Sequence, residues 1–389
     1  MIRKDRNMAQ DWIWQHPEWP AFRVDSSALA TALARARREQ GRVLGLLHAI
    51  GFEEAARIAS ATWAEEAVAT AAIEGQALEL AVVRSSVMRR LGTADENDAR
   101  ASRHVDGLLD VMQDAIGSFP SALDHDRLQR WQSALFPGGT SGIRPIAVGK
   151  YREGAEPMQI VSGPIGREVV HYTAPAAAAV PAQMNAFLDW WEETRPGEAR
   201  GHAQDGMVRA AISHLWFETI HPFEDGNGRI GRALVDMALA QDAQVDRQFY
   251  GVARQLLAVR KDYYAALNTA QRGTLDVTAW VAFFLEQLAQ ACLASQVAVE
   301  AALEKNRFWA AHRHRELSDR QRKALTALLD AGKGGFEGGM RAEKYANLTG
   351  TSKATATRDL TDLAQAGLLV TTGQGRATRY WINLPGWAG

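Results

Sequence analysis

Apolar residues recur at intervals of three and four positions along most of the chain, and this period predicts a mainly α-helical protein. An irregular, Trp- and Pro-rich stretch (11–25) comes first, and we expect its aromatic side chains to cover a neighbouring surface. Ser26 or Ser27 is expected to cap the first helix, while Gly75 and Gly92 are expected to end the second and third. The helical segments predicted from the period are 28–51, 52–75, 76–92, 108–116, 128–135, 182–193, 206–220, 229–241, 262–271 and 278–293.

Two parts of the chain depart from the helical period. The runs MQIV and EVVHY flank SGPIGR, which predicts a β-hairpin over 158–172 in an otherwise helical region. After about Glu304, three helical segments are followed by LLVTTGQGRATRYWIN, which reads as two strands around GQGR. That order is typical of a winged helix-turn-helix domain. We therefore predict an N-terminal helical region (1–100), a helical core with a hairpin (101–303) and a winged-helix domain (304–389).

Charge is distributed unevenly along the 389 residues. Residues 311–389 hold twelve Lys or Arg and seven Asp or Glu, a net +5, so a whole-chain charge of −1 leaves −6 on the rest. A basic module indicates an anionic partner, and DNA binding through this domain is one interpretation. Protein binding or dimer packing is the alternative. The residues expected on the recognition helix and the wing are Lys353, Thr355, Thr357, Arg358, Arg376 and Arg379.

Cysteine content and apolar runs point to a cytoplasmic protein. Cys292 is the single cysteine, so no disulfide can form within the chain. We expect it to be a small core residue. The longest apolar runs fall short of the roughly 18 residues of a membrane span, and the first residues lack a signal-peptide pattern. No membrane partner is predicted.

The stretch HPFEDGNGRIGR (221–232) carries the candidate chemistry. Pro222 disfavours helix at His221, so the chain should turn there and feed a new helix near 228–230. Backbone amides of the GNG segment can form an anion nest at that helix N-terminus. Arg229 and Arg232 lie three apart and suit a polyphosphate, and Asp225 beside such a nest makes sense if Mg²⁺ bridges the two. His221 stands at the mouth, where it can take a proton from a hydroxyl.

With these residues in view, the chain resembles the Fic-domain AMP-transferases. HPFEDGNGRIGR matches the family motif HxFx[D/E]GNGRxxR at every specified position. The preceding SHLWFETI, the hairpin and DYYAALN resemble the motif helix, the target-docking flap and the adenine-pocket stretch of that family. The whole layout is similar to a bacterial subgroup with a Trp-rich N-terminus and a C-terminal winged helix. The resemblance implies a Fic-type helical core, and also a homodimer.

The resemblance also assigns roles to residues of this chain. It implies that His221 is the general base for a Ser, Thr or Tyr hydroxyl of a target protein, with ATP as AMP donor. Asp225 would hold Mg²⁺, and the target would dock on the hairpin. The residues implied to contact nucleotide are Val161, Ser162, Gly163, Pro164, Asp225, Gly226, Asn227, Gly228, Arg229, Ile230, Gly231, Arg232, Tyr263, Tyr264 and Gln271. Related Doc kinases carry Lys at the position of Gly228, so GNGR favours AMP transfer, while phosphocholine transfer stays open.

The segment TAAIEG fits the family's inhibitory motif [S/T]xxxE[G/N], with Thr70 and Glu74 at its defined positions. The resemblance implies that Glu74 pairs with Arg232 and blocks productive seating of the γ-phosphate. Two alternatives stay open. Glu74 can instead position a water that removes AMP from a modified target, or the chain can be a DNA-binding regulator whose Fic core senses nucleotide.

Overall fold

A computed structural model of the chain describes residues 12–92, 103–162, 169–197, 204–247, 249–333 and 336–387, with the side chains of Ser162 and Arg376 left out. The helices within these ranges are α1 (Ser26–Ile50), α2 (Phe52–Ile73), α3 (Leu80–Arg90), α4 (Arg103–Gly117), α5 (His125–Leu135), α6 (Val180–Glu193), α7 (Gly206–Ile220), α8 (Asn227–Ala243), α9 (Val252–Ala258), α10 (Arg260–Gln271), α11 (Thr278–Ala311), α12 (Asp319–Asp330), α13 (Ala342–Thr349) and α14 (Lys353–Gln365). The strands are β1 (Thr140–Ser141), β2 (Arg144–Pro145), β3 (Gln159–Ser162), β4 (Val169–Thr173), β5 (Leu369–Thr372) and β6 (Arg379–Ile382), paired as three antiparallel hairpins. The prediction of a mainly helical fold is confirmed.

The chain divides into two compact units. The first combines Met1–Gly45 with Ala55–Gln296, and the second combines Leu46–Glu54 with Val297–Gly389. The division therefore falls inside α11, near the end of α1 and near the start of α2. The second unit takes in a short N-terminal segment that is remote in sequence.

Helix α7 lies at the centre of the first unit. All fifteen of its residues are buried, including Val208, Ile212, Leu215 and Phe217. A helix that is apolar on every side belongs in a core rather than at a surface. Asp205 caps its first turn by accepting from the backbone N–H of Met207 at 2.9 Å. This buried helix leads the chain directly to His221.

The Trp-rich segment before α1 packs over this core, as the sequence predicts. The Trp19 ring meets Trp216 of α7 edge-on at 6.2 Å. The Trp12 ring meets Tyr172 of β4 at 4.9 Å, and the Trp14 indole N–H donates to the Thr173 carbonyl at 2.9 Å. These contacts fix β4 to the body of the unit.

The predicted hairpin over 158–172 forms from β3 and β4, with an irregularity in register between Ile160 and Val161. Helix α10 binds the far side of β4, because the Asn268 amide and the Arg272 guanidinium both donate to the His171 carbonyl, at 3.1 and 2.9 Å. The turn of the hairpin, residues 163–168, lies outside the described residues.

Several local expectations need correction. Asp25, not Ser26 or Ser27, caps α1, since its carboxylate accepts from the N–H groups of Ser27 and Ala28 at 2.9 and 3.1 Å. A carboxylate is a strong acceptor for the free amides of a first turn. Helix α9 and the small hairpin of β1 and β2 were not predicted, because segments this short leave no clear period.

Helix α11 is longer than the predicted segment 278–293. By length and composition alone it is sufficient to cross a membrane, which the inspection of apolar runs did not find. However, 56% of its apolar window is buried within the described residues, as in the core helix of a globular domain. This feature is weak support for a membrane span.

The second unit has its own apolar core, in which helices α12, α13 and α14 are followed by the hairpin of β5 and β6. Ser318 caps α12 by accepting from the Gln321 N–H at 3.3 Å. Inside the core, the Asp359 carboxylate accepts from the Tyr345 hydroxyl at 2.8 Å and from Arg320 at 3.2 Å. The element order is the predicted one, while the winged-helix assignment itself stays a prediction.

Candidate functional site

His221 ends α7 in a left-handed conformation, with φ 49° and ψ 59°. This region is uncommon for a residue with a side chain and persists only when the surroundings impose it. Arg152 supplies that constraint: its guanidinium donates to the carbonyls of His221 at 2.8 Å and Pro175 at 2.5 Å, and its backbone N–H donates to the Pro222 carbonyl at 2.9 Å. The turn that presents His221 is therefore held from the opposite side by one buried arginine.

The loop between α7 and α8 is closed by its own side chains. The Asn227 side-chain amide accepts from the Phe223 N–H at 2.9 Å and donates to the Phe223 carbonyl at 2.8 Å, and Phe223 is fully buried. Gly226 has φ +92°, and a Cβ there would lie 2.9 Å from the Phe136 ring. The close approach and the backbone angle both require glycine. Helix α8 then begins at Asn227, so its first-turn amides are free of intrahelical acceptors.

Asp225 lies at the open side of this loop, with its side chain 37% exposed. Its carboxylate accepts from the Ser141 hydroxyl and, at 2.6 Å, from the Gly226 N–H. The described residues contain no group of three or more His, Cys, Asp or Glu that could hold a metal by themselves. A single carboxylate still fits Mg²⁺, which is commonly bound by one or two carboxylates together with substrate phosphates.

The two arginines of the motif have different surroundings. The Arg229 guanidinium lies over the Phe136 ring at 4.8 Å and donates to the Gln76 amide oxygen at 3.3 Å. Arg232 is buried and donates from Nε to the Thr70 hydroxyl at 2.6 Å and from Nη2 to the Thr70 carbonyl at 3.1 Å. Both guanidinium groups are buried, and Arg229 Nη2 lies 3.7 Å from the Asp225 carboxylate.

Glu74 completes the environment of Arg232. Its carboxylate accepts from Arg232 Nη2 at 2.8 Å, and its side chain is 32% exposed. Burial opposes the charge on Arg232, but the neighbouring Glu74 carboxylate more than offsets this, so the pKa of Arg232 is raised above its ordinary value. Thr70 and Glu74 therefore both contact Arg232, and the pairing of Glu74 with Arg232 is the one that the sequence motif predicts. A contact alone does not show an effect on activity.

His221 has one buried ring nitrogen, Nδ1, that lacks a hydrogen-bond partner among the described residues. The nearest carboxyl oxygen is Glu218 Oε2, 3.9 Å away. Burial lowers the pKa of His221 to about 4, and the Arg152 cation adds to the effect. Burial raises the pKa of Glu218 to about 8, with a further contribution from Glu74. At neutral pH the imidazole is therefore unprotonated, as a base must be.

The other residues that are expected to contact nucleotide differ in their exposure and in their hydrogen-bond partners. Tyr264 is 40% exposed and donates to the Ile73 carbonyl at 3.3 Å, next to Glu74. Tyr263 is buried, with its hydroxyl 2.8 Å from His214 Nε2, and Gln271 is buried with no partner for its amide nitrogen among the described residues. Of the α8 positions, Ile230 is fully buried and its backbone N–H donates to the Gly226 carbonyl at 3.0 Å, so its contact with nucleotide stays a prediction.

The hairpin positions are only partly described. Val161 is 46% exposed on β3, and Ser162 pairs with Val169. Gly163 and Pro164 lie outside the described residues. Their contact with nucleotide stays a prediction.

Sequence reasoning missed four residues at the site: Arg152, Glu218, Ser141 and Gln76. For Glu218 a signal existed, since it lies three residues before His221 and so one helical turn away. Arg152, Ser141 and Gln76 come from segments 69, 84 and 153 residues distant from their partners. No local pattern marks such contacts.

The structure thus defines a helical domain that presents a histidine, an acidic turn and a helix N-terminus in one loop, and comparisons with known proteins show which family this region matches. Residues 122–239 match the family described as Fic/DOC, and residues 12–93 match a domain of unknown function (DUF4172). The chain thus contains a Fic/DOC-family domain.

Curated relatives share sequence with this chain, and a solved structure shares its fold. The chain is 30% identical over 164 residues to a protein adenylyltransferase Fic of Nematostella vectensis, covering 42% of this chain and 33% of that protein. It is 28% identical over 106 residues to a probable protein adenylyltransferase of Aquifex aeolicus, covering 27% and 28%. The chain therefore spans a third or less of the length of these relatives. A Fic family protein from Desulfovibrio desulfuricans G20 shares the fold, with TM-score 0.55 and 22% identity over 92% of this chain and 97% of that chain.

Proposed function

We propose that this chain is a protein adenylyltransferase that moves AMP from ATP to a hydroxyl of a target protein. The observation that carries the proposal is the loop from His221 to Arg232, in which an unprotonated base, an exposed carboxylate and a helix N-terminus follow one another without a break. The relatives named protein adenylyltransferases support the same reaction.

The reaction follows from the charges of the site. His221 takes the proton of the target hydroxyl, whose oxygen forms a bond to the α-phosphorus while the bond to the β-phosphate oxygen breaks and pyrophosphate leaves. The first-turn amides of α8 and the Arg229 guanidinium bind the phosphates and offset their growing negative charge. Mg²⁺, held by Asp225, would neutralise phosphate charge when bound. The chain's part in the chemistry is thus positioning, proton removal and charge stabilisation.

We propose further that Glu74 restrains the reaction. The Arg232 guanidinium is already bonded to Glu74 and Thr70, so it is not available to a phosphate. An ATP that seats its distal phosphate on Arg232 must first displace the Glu74 carboxylate, whose partial exposure leaves it open to displacement. While Glu74 is bonded to Arg232, the protein therefore transfers AMP slowly.

The hairpin is the proposed docking element for the target. Helix α10 binds the far side of β4, so β3 offers the edge to which an extended segment can add. Four of the exposed side chains along the two strands are aliphatic, namely Ile160, Val161, Val169 and Val170, and the polar Gln159 is exposed at the start of β3. An extended, apolar target segment with a hydroxyl residue suits this edge.

The test uses Glu74→Gly protein, a cell lysate, Mg²⁺ and ATP labelled at either the α- or the γ-phosphate. Transfer of AMP labels protein from the α-position only, and His221→Ala in the same background should reduce that labelling by about 10²–10⁴-fold, the usual contribution of a general base. Labelling from the γ-position only would show a kinase. No labelling from either would contradict the proposal and favour AMP removal or another nucleotide donor.

DNA binding by the second unit is a second candidate function. Lys353, Thr357 and Arg358 are exposed on α14, within the part of the chain that carries net positive charge. This arrangement suits contacts to a phosphate backbone. The two functions are compatible, because the residues involved belong to different units.

A further inference from the structure

Three buried nitrogen or oxygen atoms, one on the candidate base and two on neighbouring side chains, lack hydrogen-bond partners among the described residues. They are His221 Nδ1, Glu218 Oε1 and His214 Nδ1, all carried by α7 or the residue that ends it. The Glu218 backbone carbonyl lies near the His221 ring and the Gly231 carbonyl near the His214 ring, but neither completes a hydrogen bond to these atoms. A buried polar atom without a partner is costly, and a native structure rarely leaves several together without a reason.

These atoms form a row. Glu218 Oε2 lies 3.9 Å from His221 Nδ1. A Cβ added to Gly231 would lie 2.5 Å from Glu218 Oε1 and 3.1 Å from His214 Nδ1, so both atoms face the gap that this glycine leaves. At the end of the row, His214 Nε2 is 2.8 Å from the Tyr263 hydroxyl.

We propose that Glu218 is the positioning residue of His221, and that it acts as a neutral carboxyl. Its O–H points to His214 Nδ1, and its carbonyl oxygen, Oε2, accepts from His221 Nδ1–H. Each of the three unpaired atoms then has a donor or an acceptor opposite it. The 3.9 Å separation is longer than a hydrogen bond, but catalytic hydrogen bonds often tighten only when substrate is bound.

The consequence for the reaction is the tautomer of His221. A proton held on Nδ1 leaves the lone pair on Nε2 as the base, and this nitrogen then receives the proton of the target hydroxyl. The partner of one ring nitrogen commonly decides which nitrogen is protonated. This role rests on the proposed adenylyl transfer, whereas the tautomer itself can be observed without any turnover.

The charges around the row support a neutral carboxyl. Burial raises the pKa of Glu218 to about 8 and lowers the pKa of His214 to about 3, so both groups are uncharged near pH 7. The charged or titratable groups that act on Glu218 and His221 from the surrounding elements are Glu74, Arg232, Arg152, Asp225, Tyr172 and Tyr263.

The experiment uses ¹⁵N-histidine-labelled protein in the Glu74→Gly background, with the His221 signal assigned by its loss in His221→Ala. The ring ¹⁵N shifts report the tautomer, and kcat and KM for ATP are measured in parallel. We expect the Nδ1–H tautomer in the parent. Glu218→Leu should convert it to Nε2–H and lower kcat at least about tenfold, with KM for ATP unchanged, as part of the roughly 10²–10⁴-fold that a general base contributes.

Glu218→Gln is the conservative rescue, because an amide presents one acceptor and one donor like the neutral carboxyl. It should keep the Nδ1–H tautomer and most of kcat. Ser213→Ala is the matched control on α7, since that buried hydroxyl donates to the Ala210 carbonyl at 2.9 Å and to no other group in the described part of the chain. It should change neither readout.

Three results would overturn the inference. They are an Nε2–H tautomer in the parent, an unchanged tautomer in Glu218→Leu, or a loss of activity in Glu218→Gln equal to that in Glu218→Leu. The first of these results is measured on the parent protein alone, so the inference stays testable even if Glu218→Leu does not fold. Failure of adenylyl transfer with the expected tautomers would count against the proposed function and leave the positioning intact.

Discussion

At the scale of single residues, Gly228 marks the place where, on the proposed function, Glu74 and a nucleotide phosphate would compete. A Cβ built on Gly228 would overlap Glu74 Oε1 and come within 3.1 Å of Arg232 Nη1. The space beside this glycine is therefore filled by the Glu74 carboxylate in the structure. The same space at the N-terminus of α8 is where a phosphate would approach the free amides. Because Gly228 has no side chain, this space can hold either the Glu74 carboxylate or a phosphate, but not both at once.

A pH prediction belongs to Glu218. Its pKa is raised by burial to about 8 in the folded protein, above the ordinary value of 4.5. A raised carboxyl pKa gives stability that is fully present below the unfolded pKa and is lost as pH rises through the folded pKa. Between about pH 5 and pH 8 the free energy of unfolding should therefore fall, by on the order of 2–4 kcal/mol from this group.

Glu218→Gln isolates this contribution, because an amide does not titrate. Urea unfolding at several pH values should show a shallower loss of stability in Glu218→Gln than in the wild type. Glu66 has a pKa raised by burial to about 7, and it leaves a background slope of the same sign in both proteins. Parallel curves for the two proteins would contradict the assignment.

At the scale of elements, helix α2 is held in place well before it reaches Glu74. Glu66 lies buried in its middle and accepts from the backbone N–H groups of Ala253 and Arg254, at 2.7 and 2.8 Å, at the start of α9. Glu65 pairs with the Arg254 guanidinium at 2.6 Å. A carboxylate at a helix N-terminus is a favourable contact. Helix α9 thus helps fix the position of the candidate inhibitory residues.

We expect Glu66→Ala to loosen α2 and to raise basal adenylyl transfer. It should also lower the free energy of unfolding by about 1–3 kcal/mol, because two buried amides lose their acceptor. Initial rates with α-labelled ATP and thermal unfolding check the two effects. Glu65→Ala is the matched control: its pair with Arg254 is partly exposed and should contribute about 0–1 kcal/mol. Unchanged basal activity in Glu66→Ala would show that α9 does not hold the inhibitor.

The sequence predicts those parts of the site that are contiguous. The path from α7 through His221 to α8 follows from a helical period, a proline and a Gly-rich turn, all within about thirty residues. The contacts of Arg152 with His221, of Ser141 with Asp225 and of Glu66 with α9 join segments 69, 84 and 187 residues apart. Such pairings depend on how elements pack, and a single sequence carries no periodic signal for them.

At the scale of the whole molecule, the chain joins two units of different charge and different proposed partners. The first holds the Fic/DOC-family region and the candidate inhibitory helix. The second carries the basic C-terminal residues around α14. A regulator that modifies a protein target and also binds nucleic acid would need both.

If the second unit binds DNA, affinity should fall steeply with salt, because Lys and Arg release counterions from the phosphates. Arg358→Ala should weaken binding to a fluorescent duplex and reduce the log–log salt slope by about one. Lys261→Ala, an exposed cation on α10 of the first unit, is the control and should leave binding unchanged. Absence of wild-type binding at low salt would favour protein binding or dimer packing.

The most direct test of the central claim compares initial rates of protein labelling from α-labelled ATP in wild type, Glu74→Gly and Glu79→Ala. Glu79 is an exposed glutamate five residues further along that makes no side-chain cap to α3, so it controls for loss of a nearby carboxylate. We expect Glu74→Gly to be faster than wild type by about 5- to 150-fold, the usual range of a regulatory coupling, and Glu79→Ala to match wild type. Equal rates for wild type and Glu74→Gly would contradict the claim that the Glu74–Arg232 pair restrains adenylyl transfer.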